Sequence, residues 1–225
     1  MKKYSVLPII YVAVLVIFQA VVSFMNINSS GGLSATSAMI GTLYVAMLAI
    51  RRKSAFLIAV VFNVLTLIIG VEHQIYSELI QQPLFIIANI IGFINVTRIH
   101  KYPNLEKLLK RVHDVHILKV ISFSLVIIVV WGAISYSLGS PVWWKDGMLC
   151  GIALAAQIFT TAGNKRCWYG WMLLNLISSW TWFTVATPNI IMGVLYLVFF
   201  VNSIVGYINY TRAEKGNQPT KQGTF

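Results

Sequence analysis

Trp168, Trp171, Asn175, Ser178 and Trp182 stand at i, i+3, i+7, i+10 and i+14, so a helix through them turns all five to one face. Indole faces stack on flat rings and attract cations, and a carboxamide supplies a donor and an acceptor that fix a ring's orientation. That face suits a small heteroaromatic solute, best of all one carrying positive charge. A lone tryptophan near a helix end is as readily an interfacial anchor, so the argument rests on the set. A second group lies upstream: Gln82 and Asn89 at i, i+7, with Pro83 loosening the start of their helix, and Asn63 further back. Other chemistry is missing. The sequence has no nucleotide-binding loop and no Ser/His/Asp set, and His113 and His116 lack a third metal ligand. Cys150 and Cys167 form neither a disulfide framework nor a zinc spacing. A catalytic centre, a metal and a cofactor are therefore not expected.

The elements that hold these residues are written in the composition. Hydrophobic residues make up 58% of the 225, charged residues 10%, and the mean hydropathy is +0.77. A chain with so few charges cannot cover itself with a polar surface, and its apolar runs reach bilayer-spanning length. Helices rather than barrel strands follow, because the alternating barrel pattern is absent. The expectation is an all-α integral membrane protein with eight spans, near 5–25, 34–50, 54–71, 79–97, 118–138, 147–162, 167–186 and 189–210. With both termini in the cytoplasm, only Lys145 of the 17 Lys and Arg falls outside, alongside Glu72, Glu78 and Asp146. That is the positive-inside pattern, and it accounts for the net charge of +11 without nucleic acid. Lys2-Lys3 and the first apolar run share features with a signal peptide, but the run is long and lacks a small-residue cleavage pattern, so a retained helix is expected. The basic amphipathic stretch 104–113 is a cytoplasmic linker or rests on the inner leaflet. No carboxylate stands in mid-span, which makes facilitated diffusion the simpler expectation for a transporter.

A repeat organises the spans. GFINVTR at Gly92–Arg98 is echoed by GYINYTR at Gly206–Arg212. Asn63 lies 29 residues before the first glycine, and Asn175 lies 31 before the second. Two three-helix bundles result, residues 34–98 and 140–212, joined by a basic loop and connector helix over 99–139. Residues 1–33 add an N-terminal helix, and 213–225 form a cytoplasmic tail. The copies are four spans apart and therefore parallel, as in the sugar-carrying SWEET proteins, which places a site between the bundles. In the second copy Tyr196 and Ser203 stand where Gln82 and Asn89 stand in the first, whereas Phe56 and Ala59 replace Trp168 and Trp171. An asymmetric ligand calls for that asymmetry.

Trp168-Tyr-Gly-Trp171-Met-Leu-Leu-Asn175, with Phe62-Asn63, Tyr76 to Gly92 and Leu195-Tyr196 to Gly206-Tyr207, resembles the PnuC family of bacterial nicotinamide riboside transporters. The chain departs from many relatives at Phe93 and Tyr207, in neighbourhoods where they carry tryptophan. The resemblance implies a SWEET-like fold in the bacterial cell membrane. It further implies facilitated uptake of nicotinamide riboside, or of thiamine, riboflavin or a deoxynucleoside, with trapping by a cytoplasmic kinase and a homotrimeric assembly. A sugar carrier, or a membrane enzyme or sensor without transport, is the competing class; neither a reactive constellation nor an effector domain supports the latter.

Overall fold

The structure, a computed structural model, describes residues 6–50, 52–98 and 101–215. The cations Lys2, Lys3, Arg51 and Lys221 lie outside the described residues, as does the tail from residue 216. Nine helices are present among the described residues: α1 (Val6–Ser30), α2 (Gly32–Ala49), α3 (Ala55–Glu72), α4 (Ser77–Arg98), α5 (Pro103–His113), α6 (Ile117–Ser137), α7 (Trp143–Thr161), α8 (Cys167–Thr184) and α9 (Ile190–Lys215). Eight coincide with the expected spans and the ninth, α5, with the amphipathic stretch. Helix α1 runs on past its apolar segment because its polar end is helical too: Asn26 Nδ2 donates to Val22 O at 2.9 Å and Ser29 Oγ to Asn26 O at 3.0 Å. Helix α7 stops where Gly163 takes a left-handed φ of 72°, a conformation glycine adopts without strain.

Among the described residues, α1, α2, α3, α4, α6 and α9 are long and apolar enough to cross a membrane. Helices α7 and α8 are 19 and 18 residues long but more polar. Their buried faces carry Gln157, Thr160 and Thr161 in α7, and Asn175, Ser178, Ser179 and Thr181 in α8. At about 1.5 Å per residue their length still approaches the hydrocarbon thickness of a bilayer, roughly 30 Å.

Helices α2, α3 and α4 pack in sequence, as do α7, α8 and α9; α2 meets α9, α4 meets α7, and α6 lies along α7. The echoed glycines sit at matching contacts. A Cβ on Gly92 would strike the ring of Phe56 in α3, and a Cβ on Gly206 would strike the ring of Trp168 in α8. The echoed asparagines reach the other group of helices. Asn95 Nδ2 donates to the carbonyl of Thr161, the last residue of α7, at 3.1 Å, and Asn209 Nδ2 to that of Ala49, the last of α2, at 3.2 Å. Each amide thereby satisfies a carbonyl that a helix end leaves without an intrahelical donor. Helix α1 lies against both α2 and α9; Gln19 Nε2 approaches Ile191 O at 3.5 Å.

Candidate functional site

Between α2–α4 and α7–α9 lies a cavity of about 640 Å³ of empty space, counted to its open margin. Eight of the nine residues singled out from sequence line it: Asn63, Gln82, Asn89, Trp168, Trp171, Asn175, Ser178 and Tyr196. Trp182 does not. It lies further along α8, fully buried, with its ring 5.3 Å from that of His73 and its side chain hydrogen-bonded to Tyr196. It supports the wall from behind.

Aromatic rings form much of the lining. Trp171 meets Phe85 edge-on at 5.8 Å, and Phe199 meets both Phe62 and Tyr196 edge-on at 5.5 Å. Trp171 is held by its own polar edge, since Nε1 donates to Thr160 Oγ1 at 2.7 Å. That bond fixes the indole plane and leaves its faces for stacking.

The polar lining is neutral. Gln81, Gln157 and Asn202 join the four carboxamides foreseen in the sequence, and among the described residues no charged side chain lines the cavity. Asn175 Nδ2 donates to Ser203 Oγ at 3.1 Å, across α8 and α9. Asn89 turns back on its own helix, donating to Phe85 O at 2.8 Å. Asn202 is held from both ends: its Nδ2 donates to Val45 O at 2.8 Å, and its Oδ1 accepts from Tyr11 of α1 at 2.5 Å. Other groups are buried without a partner: the donors Asn63 Nδ2, Gln81 Nε2, Gln157 Nε2 and Trp168 Nε1, and the acceptor Gln82 Oε1. Buried polar atoms are rarely left so, and a ligand rich in hydroxyl and carbonyl groups would satisfy them.

Gln157 and Asn202 escaped the sequence reading because nothing repeats them; their counterparts in the first copy are Met47 and Ala88. Gln81 was overlooked beside Gln82. The carboxylates near the cavity also lie deeper than connector residues would. Glu78 and Asp146 occupy the first turns of α4 and α7, and both are buried. Asp146 accepts from Ser77 N at 3.0 Å and from Ser140 Oγ at 2.5 Å. Among the described residues no group of three or more His, Cys, Asp or Glu is placed to hold a metal. His113 and His116 serve the backbone instead: His113 Nδ1 lies 3.2 Å from Ala162 O, and His116 accepts from Leu118 N.

The model of a family described as nicotinamide mononucleotide transporter matches residues 32–212. The nicotinamide riboside transporter PnuC of Neisseria mucosa is 29% identical over 84 residues, which cover 36% of this chain and 32% of that protein. The protein of the same name from Haemophilus influenzae is 34% identical over 70 residues, 31% of this chain and 29% of the relative. The matched stretch thus spans about a third of the length of either curated relative. The crystal structure of the vitamin B3 transporter PnuC agrees with a TM-score of 0.75 over 97% of this chain and 96% of that one. At 18% identity, that likeness is one of fold.

Proposed function

Because the chain belongs to the nicotinamide mononucleotide transporter family, a family of multi-pass membrane proteins, we propose that it carries nicotinamide riboside, the nucleoside without its phosphate, across the membrane. The observation that carries this reading is the lining itself: aromatic rings and neutral carboxamides, with no cation among the described residues that form it. A phosphate there would lose its water and gain no counter-charge, which is costly. A pyridinium meets the opposite situation, since the faces of Trp168 and Trp171 attract a delocalised cation. The unpartnered donors of Asn63, Gln81 and Gln157 suit the ribose hydroxyls and a carboxamide oxygen. Asn175, Ser178, Asn89 and Tyr196 complete the contact set.

The architecture that supports this reading is a pair of parallel three-helix bundles, residues 34–98 and 140–212, joined through 99–139 in a SWEET-like arrangement, with residues 1–33 as an added helix and 213–225 as a tail. The matching seats of Phe56 and Trp168 and the crossed bonds of Asn95 and Asn209 favour it. In this reading the chain crosses the bacterial inner membrane eight times with both termini in the cytoplasm, as the positive-inside pattern favours, and α7 and α8 cross it shielded by their neighbours. Transport runs down the gradient, with a cytoplasmic kinase trapping the product as its phosphate. The working assembly is a homotrimer.

Purified protein in liposomes tests the proposal. Labelled nicotinamide riboside should equilibrate and go no further, with or without a pH gradient, and excess nicotinamide mononucleotide should compete poorly. Equal competition by the mononucleotide, or accumulation beyond equilibrium, would overturn it. Thiamine, riboflavin and deoxynucleosides belong in the same competition series.

A further inference from the structure

Gln82 reaches the cavity wall in company. Its Nε2 donates to Glu78 Oε2 at 2.5 Å, one helical turn back on α4, while its Oε1 is buried without a partner. Glu78 and Gln82 are 4% and 2% exposed, so water does not compete for either group. Glu78 is wedged in place as well, because its Cβ and Cγ fill the space where Gly70 of α3 lacks a side chain. Asp146, on the facing helix, is served by Ser77 N and Ser140 Oγ, whereas the hydrogen bond of the Glu78 side chain goes to Gln82.

We propose that Glu78 is a positioning residue that sets which end of the Gln82 amide faces the ligand, and so makes the site select a solute with an N–H donor there. An ionised carboxylate only accepts, so it holds the NH2 group of Gln82 and leaves the carbonyl oxygen facing inward. That oxygen belongs to the same cavity lining as the orphan donors of Asn63, Gln81, Gln157 and Trp168 and asks for the opposite partner. A primary carboxamide supplies both, its N–H for Gln82 and its oxygen for a neighbouring donor. Protonation reverses the reading: the carboxylic acid donates, the amide turns over, and its NH2 faces the cavity. The titratable groups near Glu78 are Asp146 and Cys150 on α7 and Tyr196 on α9, so an acid response has to be assigned by substitution.

This inference rests on the proposed substrate and is tested with a matched pair of ligands, nicotinamide riboside and 3-acetylpyridine riboside. The second keeps the carbonyl and replaces the NH2 by a methyl group, and neither substituent ionises. Calorimetric binding to the full-length protein at about pH 8 should favour nicotinamide riboside roughly tenfold, the consequence of one buried acceptor left unpaired. The preference should shrink several-fold towards about pH 5, where a carboxyl group can take up its proton. Glu78→Gln should bring the ratio near one at both pH values, since a glutamine there donates as readily as it accepts. A wild-type ratio near one at the higher pH, a wild-type ratio that ignores pH, or an E78Q protein with the wild-type ratio and pH profile would each overturn the proposal. The wild-type series alone suffices if the variant does not fold. Failure of the wild type to bind either riboside overturns the substrate reading instead.

Discussion

In α4 the glycine of GFINVTR seats Phe56, and in α9 the glycine of GYINYTR seats Trp168. The slots match, yet Phe56 stays behind the first wall whereas Trp168 lines the cavity. Ala59 and Trp171 extend the contrast: the alanine is fully buried between helices, and the indole stands at the cavity against Phe85. Asn63 and Asn175 both line the cavity, but Asn175 spends its NH2 on Ser203 and Asn63 Nδ2 has no partner. The second half thus brings the tryptophan faces, and the first brings three of the five unspent hydrogen-bonding groups of the lining. A shared packing scheme fixes where side chains arrive, and the side chains decide what each half contributes.

Substitutions that make the halves alike should break function most. Trp171→Ala with Asn175→Ala gives α8 the alanine of α3 and removes both stacking and orientation. Nicotinamide riboside binding should fall roughly a hundredfold, read by calorimetry and by liposome uptake. Uptake undiminished in that variant would show that the contrast has no bearing on the ligand. Next come the two glycines. Gly92→Ala and Gly206→Ala should each cost about 1–3 kcal/mol from overpacking, measured as a drop in melting temperature. Only Gly206→Ala, which displaces a ring of the cavity wall, should also abolish uptake, and Trp168→Phe in the same chain should restore part of the lost stability. Equal loss of uptake in both would erase the distinction between wall and backing.

The crossed asparagines come third. Asn95→Ala and Asn209→Ala each leave a helix-terminal carbonyl without its donor and should cost about 1 kcal/mol. The double variant should lose their sum if the two contacts act independently. His73 carries the smallest effect. Burial lowers its pKa, and the charge of Glu72 only partly opposes this. The unfolded chain therefore takes up a proton before the folded one does, and stability is lost as pH falls below about 6.5, the ordinary histidine value. The loss should stay under about 1 kcal/mol because the ring is only partly buried. His73→Gln should flatten that limb of the stability-pH curve, and an unchanged slope would place the proton elsewhere.

The sequence revealed eight of the nine described helices because each of these is an apolar run closed by charge, glycine or proline, and the two echoed phrases aligned the halves. It missed the end of α1, where Asn26 and Ser29 bond to their own helix, and the end of α9, which runs on to Lys215. The cavity was legible where a polar residue recurred in both halves or lay on the tryptophan face. Gln157 and Asn202 had no such echo. Glu78 looked like part of a turn, since nothing in one dimension shows that Gly70 clears a place for it inside the protein. Trp182 followed the face by spacing, but the cavity ends before it.

Asn95 and Asn209 bear on leakage. If the passage opens at their end of the molecule by parting α4 from α7 and α2 from α9, both bonds must break in the same interval. A tie of about 1 kcal/mol is undone roughly one time in six, and two independent ties are undone together roughly one time in forty. A seal made of two weak catches would then stay shut through the random failure of either, yet remain cheap enough for a bound solute to release both.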